Sequence, residues 1–274
     1  MPLPNLSGQV AVITGASQGI GRGIALALGK AAATIYVTGR NRSALEAVAA
    51  EVRARGGRAI AAVCDHAQDA DVSALFARIR EEQPGLHLLV NNVWGGYEGH
   101  PQGLGPQPFW EASLDDWEAM FVRGVRPHFA ASRLAAPLMI SGKRGLIVNT
   151  IAWVQGKYLL QLYYDVAKHA VARMAYGMAL ELKPHGVAAV AVAPGFARTE
   201  RVMAAHDAHP FDLSGTESSE YIGRGVAHLL ADPGLMSRTG QIFTAGQLAR
   251  EYGFTDVDGR QPEPFTMPAN LAMD

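Results

Sequence analysis

The 274-residue chain lacks most features of secreted, membrane and nucleic-acid-binding proteins. One cysteine, Cys64, excludes an intramolecular disulfide and suits a reducing compartment. Lysine plus arginine (24) and aspartate plus glutamate (25) nearly balance, so charge gives no reason to expect nucleic acid or an anionic membrane as a partner. No apolar run approaches the roughly 18 residues that span a bilayer, and the opening MPLPNLSGQV has no secretory apolar core. We therefore expect a cytoplasmic protein that binds neither nucleic acid nor membrane.

The hydrophobic residues, 49% of the chain, form short β-rich runs that alternate with longer helical patterns. The runs are apolar without alternation, which is typical of parallel strands covered by helices on both faces. The pattern predicts an α/β fold of the Rossmann type, a doubly wound parallel sheet in one domain over 1–274. Strands are predicted at Gln9–Ile13, Thr34–Thr38, Arg58–Cys64, Leu86–Asn91, Leu146–Asn149, Val187–Val192 and Gln241–Thr244, and helices at Gly19–Gly29, Arg42–Arg55, Asp69–Glu82 and around Asp165–Leu182.

Two segments interrupt this alternation. Trp94–Ser113 is rich in glycine and proline, and we interpret 94–113 as a loop insertion. Long loops in compact domains are uncommon and often functional. Residues 245–274 are predicted as an irregular C-terminal extension that packs over the domain or on a neighbouring subunit.

A glycine-rich turn, TGASQGIG over 14–21, joins the first predicted strand to the first predicted helix. Glycines in such a turn allow close approach by a ligand, and the N–H groups at the helix start favour a diphosphate. The spacing is G-x3-G-x-G, and the alternative is a turn that only reverses the chain. Its place after the first strand of a βαβ series favours a dinucleotide. The predicted cofactor-binding residues here are Gly15, Ser17, Gln18, Gly19, Ile20 and Gly21.

The end of the second predicted strand carries Gly39 and Arg40, where an NAD site usually has a carboxylate. An arginine there can hold a 2′-phosphate, which favours NADP and leaves NAD possible. The alternative is a surface arginine that starts the next helix. Asp65 closes the third predicted strand, where it can bind an adenine amino group or cap a helix.

Tyr164 and Lys168 lie four residues apart in a helical pattern, so they share a face. A nearby ammonium stabilises a phenolate and lowers the tyrosine pKa. The pair can then move a proton to or from a substrate oxygen during hydride transfer. A surface pair on a helix is the alternative.

Together these motifs resemble the short-chain dehydrogenase/reductase family over Ser7 to Thr244. TGASQGIG matches the cofactor turn, and NNVWG at 91–95 stands where the family has NNAG. Tyr164 to Lys168 matches YxxxK, and Pro194-Gly195 with Thr199 matches the PG motif. Phe109–Glu111 and the segment ending at Arg260 are similar to the dehydrogenase/reductase member 1-like subgroup.

The resemblance implies an oxidoreductase that interconverts a small-molecule carbonyl and a secondary alcohol with NADP(H). Tyr164 would be the acid/base, and Lys168 would bind the nicotinamide ribose and tune Tyr164. It also implies a seven-stranded sheet and a homodimer or homotetramer. Cofactor contacts by resemblance are Asn91, Tyr164, Lys168, Pro194, Gly195 and Thr199, of which Thr199 would contact the nicotinamide amide.

Two positions depart from the family pattern. The catalytic serine would fall at Ile151 or Ala152, and the structural asparagine falls at Gly124. Losing one oxyanion donor costs on the order of 10²–10³ in rate. This departure motivates the alternative of a non-catalytic dinucleotide-binding or redox-sensing protein, and a dehydratase- or isomerase-like activity is a further alternative. The residues that could replace the serine are Thr150, Trp153, Tyr158 and Tyr163.

Other polar and aromatic residues give weaker indications. His206 and His209 have no carboxylate or cysteine pattern that completes a site, so no metal is predicted. They lie in Thr199–Ser214, which by resemblance is a mobile lid over the substrate. Several aromatic residues lie on predicted loops near the site, and they could form an apolar or aromatic substrate site or be explained by ordinary loop packing: Trp94, Tyr97, Phe109, Trp153 and Tyr158.

Overall fold

The apolar runs form a parallel sheet in the computed structural model, which describes residues 1–98, 107–153, 157–159 and 161–266. Within the described ranges the strands are β1 (Val10–Ile13), β2 (Thr34–Gly39), β3 (Arg58–Val63), β4 (Leu88–Asn91), β5 (Gly145–Thr150), β6 (Val187–Ala193), β7 (Ala197–Arg198), β8 (Glu217–Ser218) and β9 (Ile242–Thr244). Seven of them form one sheet in the order β3-β2-β1-β4-β5-β6-β9, and β7 and β8 form a separate parallel pair.

Helices cover both faces of the seven-stranded sheet, as predicted. A π-helical stretch at Ala119–Val125 leads into the fifth helix, and short 3₁₀ helices lie at Phe109–Glu111 and Lys183–His185. The α-helices of the described residues are α1 (Gly19–Lys30), α2 (Arg42–Ala54), α3 (Asp69–Glu82), α4 (Leu114–Glu118), α5 (Arg126–Ser141), α6 (Leu162–Leu182), α7 (Glu200–Ala208), α8 (Ser219–Ala231), α9 (Leu235–Arg238) and α10 (Ala245–Tyr252). None of them is both long and apolar enough to cross a membrane.

The central strand β1 shows why the apolar runs do not alternate with polar residues. Ala11 and Ile13 pack in the core that α1, α2 and α8 cover. Val10 and Val12 point the other way, into the core beneath α3, α5 and α6. Each fully buried valine or isoleucine contributes about 1.5–3 kcal/mol relative to an exposed one. Both faces of the strand therefore have to be apolar, and the predicted fold class is confirmed.

The prediction of an irregular extension after Thr244 is wrong for its first part, which is α10. The Thr244 hydroxyl accepts from the Gln247 backbone while the Gln247 side chain accepts from the Thr244 backbone, a capping box. The helix ends at Gly253, whose φ of 64° is left-handed. From there to Thr266 the chain has no helix or strand, and 267–274 lie outside the described residues. Of the predicted 94–113 loop, 99–106 also lie outside them.

The strand order places the carboxyl ends of β1 and β4 side by side. From β1 the chain winds outward through β2 to β3, then returns to β4 and winds the other way. In open α/β sheets, ligands bind in the crevice at this reversal. The glycine turn after β1 and the NNVWG segment after β4 both lie there.

Candidate functional site

A cleft of about 560 Å³ opens at the carboxyl ends of β1, β2 and β4. It brings together the glycine turn, the end of β2, the end of β3, the segment after β4 and the start of α7. The predicted cofactor residues that line it are Gly15, Ser17, Gln18, Gly19, Ile20, Arg40, Asp65 and Thr199. Their convergence from separate parts of the chain makes this cleft the candidate dinucleotide site.

The glycines keep the turn narrow. Gly15 has a φ of +67°, and a Cβ on it would lie 2.8 Å from the Val93 Cα. A Cβ on Gly21 would lie 2.4 Å from the Gly15 carbonyl oxygen, so Gly21 packs inside the turn and does not line the cleft. The Asn92 side chain donates hydrogen bonds to the Thr14 and Gly15 carbonyls, each at 3.0 Å. The result is a bare backbone cradle that fits a diphosphate.

The N-terminus of α1 already holds an anion in this structure. Its N-cap residue, Gln18, makes no side-chain capping bond. Instead the Gly19 N–H donates to the Glu200 carboxylate at 2.8 Å, and Arg22 lies 3.8 Å from the other oxygen of that carboxylate. A carboxylate at a helix N-terminus uses the same N–H groups and dipole that favour a phosphate.

A second anion seat lies at the end of β2. Arg40 contacts one Glu98 oxygen at 2.6 Å, and Arg123 contacts the other at 2.7 Å. Two guanidinium groups therefore converge on one carboxylate at the edge of the cleft. Asp65 also faces the cleft, and its carboxylate accepts from the Ala67 N–H, so it closes a turn before α3 without being the cap of that helix.

Tyr164 and Lys168 lie together on α6, behind the cleft wall formed by Trp94 and Tyr97. The Tyr164 ring stacks on Tyr97 at 5.7 Å and meets Trp94 edge-on at 5.6 Å. The Lys168 Nζ lies 3.6 Å from the centre of a Trp94 ring and 5.6 Å from that of Tyr164. The predicted pair is thus adjacent to the cleft but screened from it by aromatic side chains.

Burial dominates the proton affinities of this pair. It raises the pKa of Tyr164 to about 12, against a hydrogen bond from the Tyr97 hydroxyl that lowers it. Burial also lowers the pKa of Lys168 to about 7. The sequence prediction was that Lys168 lowers the pKa of Tyr164. In this structure desolvation outweighs any such effect, because Lys168 is buried and Tyr164 is partly buried.

Asn91 does not lie in the cleft, contrary to the prediction that it contacts the cofactor. It is fully buried, and its amide donates to Ser132 at 2.8 Å and to Asn149 at 2.9 Å. Consecutive side chains of a strand point to opposite sides, so the next residue, Asn92, faces the cleft instead. The role of Asn91 is to join β4, β5 and α5.

Pro194 and Gly195 do not line the cleft, and Gly195 contacts Glu217, a residue that sequence reasoning did not single out. The Gly195 N–H is hydrogen-bonded to the Glu217 carboxyl, whose side chain is almost fully buried. Burial raises the pKa of Glu217 to about 8. A Cβ at position 195 would lie 2.7 Å from a Glu217 oxygen, which explains the glycine.

The candidate replacements for the serine are mostly engaged elsewhere. The Thr150 hydroxyl donates to the Asn91 carbonyl at 3.2 Å, and the Tyr163 hydroxyl donates to the Ala112 carbonyl at 3.3 Å. Trp153 packs on the His169 ring at 5.4 Å. Tyr158 is half-buried, and burial raises its pKa.

Other predicted residues do not reach the cleft. His206 accepts from the Phe211 N–H at 3.1 Å, and His209 is exposed. Phe109 is also exposed and packs on Trp110. The sequence prediction missed Glu98, Arg123 and Glu200, which come from distant parts of the chain. None of the three carries a local sequence signal for its place in the cleft.

Comparisons with known proteins identify the family of this chain. The family model for short chain dehydrogenase matches residues 9–209. The chain is 39% identical over 272 residues to the mouse protein named Dehydrogenase/reductase SDR family member 1, covering 95% of this chain and 87% of that protein. It is 32% identical over 244 residues to the 3-oxoacyl-[acyl-carrier-protein] reductase of Synechocystis sp., covering 87% and 95%.

Solved structures show the same fold. The Escherichia coli hydroxysteroid dehydrogenase has a TM-score of 0.75 and 27% identity, covering 88% of this chain and 96% of its own. A 7α-hydroxysteroid dehydrogenase complexed with NADH and 7-oxo glycochenodeoxycholic acid has a TM-score of 0.75 and 25% identity, covering 94% and 96%. The chain belongs to the short-chain dehydrogenase/reductase family, in its member 1-like subgroup.

Proposed function

We propose that this protein is an NADP(H)-dependent oxidoreductase that interconverts a carbonyl and a secondary alcohol, with Tyr164 as the acid/base. Family membership supports the coarser statement, an NAD(P)-dependent dehydrogenase/reductase that acts on small molecules. One observation carries the finer statement. Tyr164 and Lys168 lie side by side on α6, directly behind the wall of a cleft that has two anion seats.

The two seats fit the two anionic parts of NADP(H). The glycine turn and the Gly19 N–H offer a backbone seat for the diphosphate, where Glu200 now binds. Arg40 and Arg123 offer a pair of guanidinium groups for a 2′-phosphate, where Glu98 now binds. Guanidinium groups suit phosphate because their N–H groups match its oxygens. Both carboxylates have to withdraw when the cofactor binds.

The proton is held at the Tyr164 hydroxyl. With a pKa of about 12 the phenol is protonated near neutral pH, so it can donate to the oxygen of a carbonyl and take the proton back from an alcohol. The Tyr97 hydroxyl already donates a hydrogen bond to Tyr164, and the same bond stabilises the phenolate left after proton transfer. When bound, the nicotinamide supplies the hydride in reduction and accepts it in oxidation.

Substrate access requires the aromatic wall to rearrange. On the cleft side, Trp94 and Tyr97 lie against Tyr164 and cover it. These rings shield the acid/base pair from the cleft and offer apolar surface to a substrate. An apolar or aromatic carbonyl compound therefore fits this wall best.

A non-catalytic dinucleotide-binding protein is the second candidate. Neither Ile151 nor Ala152 can donate a hydrogen bond, Gly124 has no side chain, and the hydroxyls of Thr150 and Tyr163 are bonded to backbone carbonyls. An idle site, however, has no chemical need for both Tyr164 and Lys168.

The two candidates separate in a combined binding and turnover experiment. NADPH and NADH are titrated first, and then a panel of aldehydes and ketones is tested with each. We expect Tyr164→Phe to abolish turnover while the cofactor dissociation constant changes less than about twofold. Tyr176→Phe, a half-exposed tyrosine on the same helix, is the control and should retain turnover. Binding without turnover would favour the second candidate, and binding of neither cofactor would contradict both.

A further inference from the structure

The Trp94 indole fits against two glycines that leave room for it. A Cβ at Gly124 would lie 2.8, 3.0 and 3.1 Å from three carbons of its six-membered ring. A Cβ at Gly96 would lie 3.0 and 3.1 Å from two further ring atoms. Real Cβ atoms rarely come this close to their neighbours, so any side chain at position 124 would push the ring aside. The bare backbone of Gly124 is what allows the indole to lie where it does.

The indole also contacts the Lys168 ammonium, whose Nζ lies over a Trp94 ring, 3.6 Å from its centre. Lys168 is only 8% exposed, and among the described residues no carboxylate, hydroxyl or carbonyl accepts a hydrogen bond from it. A mostly buried ammonium is unfavourable unless neighbouring groups stabilise its charge. The face of an aromatic ring attracts a cation, and more so when water is excluded. The indole face is therefore the described group best placed to stabilise this charge.

We infer that Trp94 is a positioning residue for Lys168, and that its indole face, seated on Gly124 and Gly96, holds the ammonium beside Tyr164. The contact between Trp94 and Lys168 is argued from the geometry alone. Its role in catalysis rests on the proposed function, in which Lys168 supports Tyr164 as the acid/base.

Among the described residues, few other titratable groups face Lys168. The Tyr164 ring, on the same helix, lies 5.6 Å from the Lys168 Nζ, and Tyr97 is hydrogen-bonded to Tyr164. His128, on α5, interacts with Lys168 but is uncharged near neutral pH, because burial lowers its pKa to about 3. None of these groups is an anion near neutral pH, so none of them stabilises the positive charge of Lys168 as the indole face does.

Fluorinated tryptophans test the contact without changing the shape of the pocket. Fluorine withdraws electron density from the ring and weakens cation binding while the ring keeps nearly its size. The pKa of each of the five lysines is measured by competitive acetylation and peptide mass spectrometry. We expect the pKa of Lys168 to fall stepwise with fluorination, by up to about one unit in all. The other four lysines should not move, and an unchanged Lys168 would overturn the inference.

The control for this series is the Trp94→Phe variant, produced with the same fluorinated tryptophans, which then occupy only positions 110, 117 and 153. In this variant the pKa of Lys168 should not change with fluorination. Gly124→Ala supplies a second test, because its methyl group displaces the indole and should abolish the trend in Lys168. Gly177→Ala, on α6 with open space around it, should keep the trend. A full trend in Gly124→Ala would also contradict the inference.

Turnover separates this inference from the proposed function. If Lys168 serves Tyr164, the pH profile of carbonyl reduction by NADPH should shift with the pKa of Lys168 along the fluorination series. A shifted Lys168 pKa with no turnover in any sample would support the contact and contradict the proposed activity. A turnover profile that shifts while the Lys168 pKa stays constant would contradict the contact.

Discussion

The backbone N–H of Gly19 donates a hydrogen bond to the Glu200 carboxylate at 2.8 Å, although the two residues are 181 positions apart. Gly19 begins α1, and Glu200 begins α7. The first residue of α7 thus supplies a carboxylate to the N-terminus of α1, at the position proposed for the diphosphate. If the diphosphate binds in this seat, it displaces the hydrogen bond between Gly19 and Glu200.

Replacing Glu200 by alanine should therefore strengthen cofactor binding. The variant removes both the competing carboxylate and its repulsion of the diphosphate, effects worth about 0.3–2 kcal/mol at a helix N-terminus. We expect an NADPH dissociation constant roughly 2- to 30-fold lower, measured by titration calorimetry. Asp207→Ala removes an exposed charge from the same helix and should leave the constant unchanged. Weaker binding by Glu200→Ala would mean that the carboxylate holds the cleft in its binding shape.

The pair Arg40 and Arg123 should determine the preference between NADPH and NADH. Losing a hydrogen bond to a charged group costs about 1.5–3 kcal/mol, so either alanine variant should weaken NADPH binding about 10- to 100-fold. NADH, which has no 2′-phosphate, should bind as before. Glu98→Gln frees both arginines and should strengthen NADPH binding alone.

The control for this pair is Arg42→Ala, an exposed arginine two residues beyond Arg40. It should leave the affinities for NADPH and NADH as they are. Equal losses for both cofactors in Arg40→Ala would show that Arg40 does not read the 2′-phosphate.

Asn91 should matter for stability, and Asn92 for cofactor binding. Asn91→Ala leaves the buried Ser132 and Asn149 groups without their donor, which costs about 1–3 kcal/mol of unfolding free energy. Asn92→Ala releases the carbonyls of Thr14 and Gly15 and loosens the glycine turn. Urea unfolding and NADPH titration of both variants distinguish the two effects. A large loss of NADPH affinity in folded Asn91→Ala would restore the original prediction.

The sequence predicted the fold well because its signals are local. An unbroken apolar run such as Val187–Ala193 can be buried on both faces only in a covered parallel sheet. The glycine turn was also predictable, because the φ of +67° at Gly15 depends on its own residue type.

Residues that meet across the sheet were not predictable from local pattern. Glu98 and Glu200 look like ordinary surface acids in the sequence, and only the fold brings them to Arg40 and Gly19. The same limit applies to Asn91, since a shift of one residue in a strand decides whether a side chain lies in the core or the cleft. The effect of burial on Tyr164 and Lys168 also depended on Trp94 and Tyr97, which cover them.

The buried His128 should make the protein less stable as the pH falls below 6.5. Its Nε2 donates to the Val93 carbonyl at 3.0 Å, and burial lowers its pKa to about 3. The unfolded chain, with a histidine pKa near 6.5, then binds more protons than the folded chain between about pH 3 and 6.5. Each such histidine makes the unfolding free energy fall by up to about 1.4 kcal/mol per pH unit in this window.

The contribution of His128 is measured as the difference between the wild-type protein and a variant in the slope of unfolding free energy against pH. Urea unfolding between pH 6.5 and 5 avoids most carboxylate titration, and His128→Gln should reduce the slope there by about 1.1 kcal/mol per pH unit, because the unfolded histidine is only half protonated at pH 6.5. The slope that remains includes His66, whose pKa burial lowers to about 4. His185→Gln, an exposed histidine, should leave the slope unchanged. If His128→Gln retains the full slope, then His128 does not stay neutral in the folded protein, and the segment it anchors beside Trp94 is open to water.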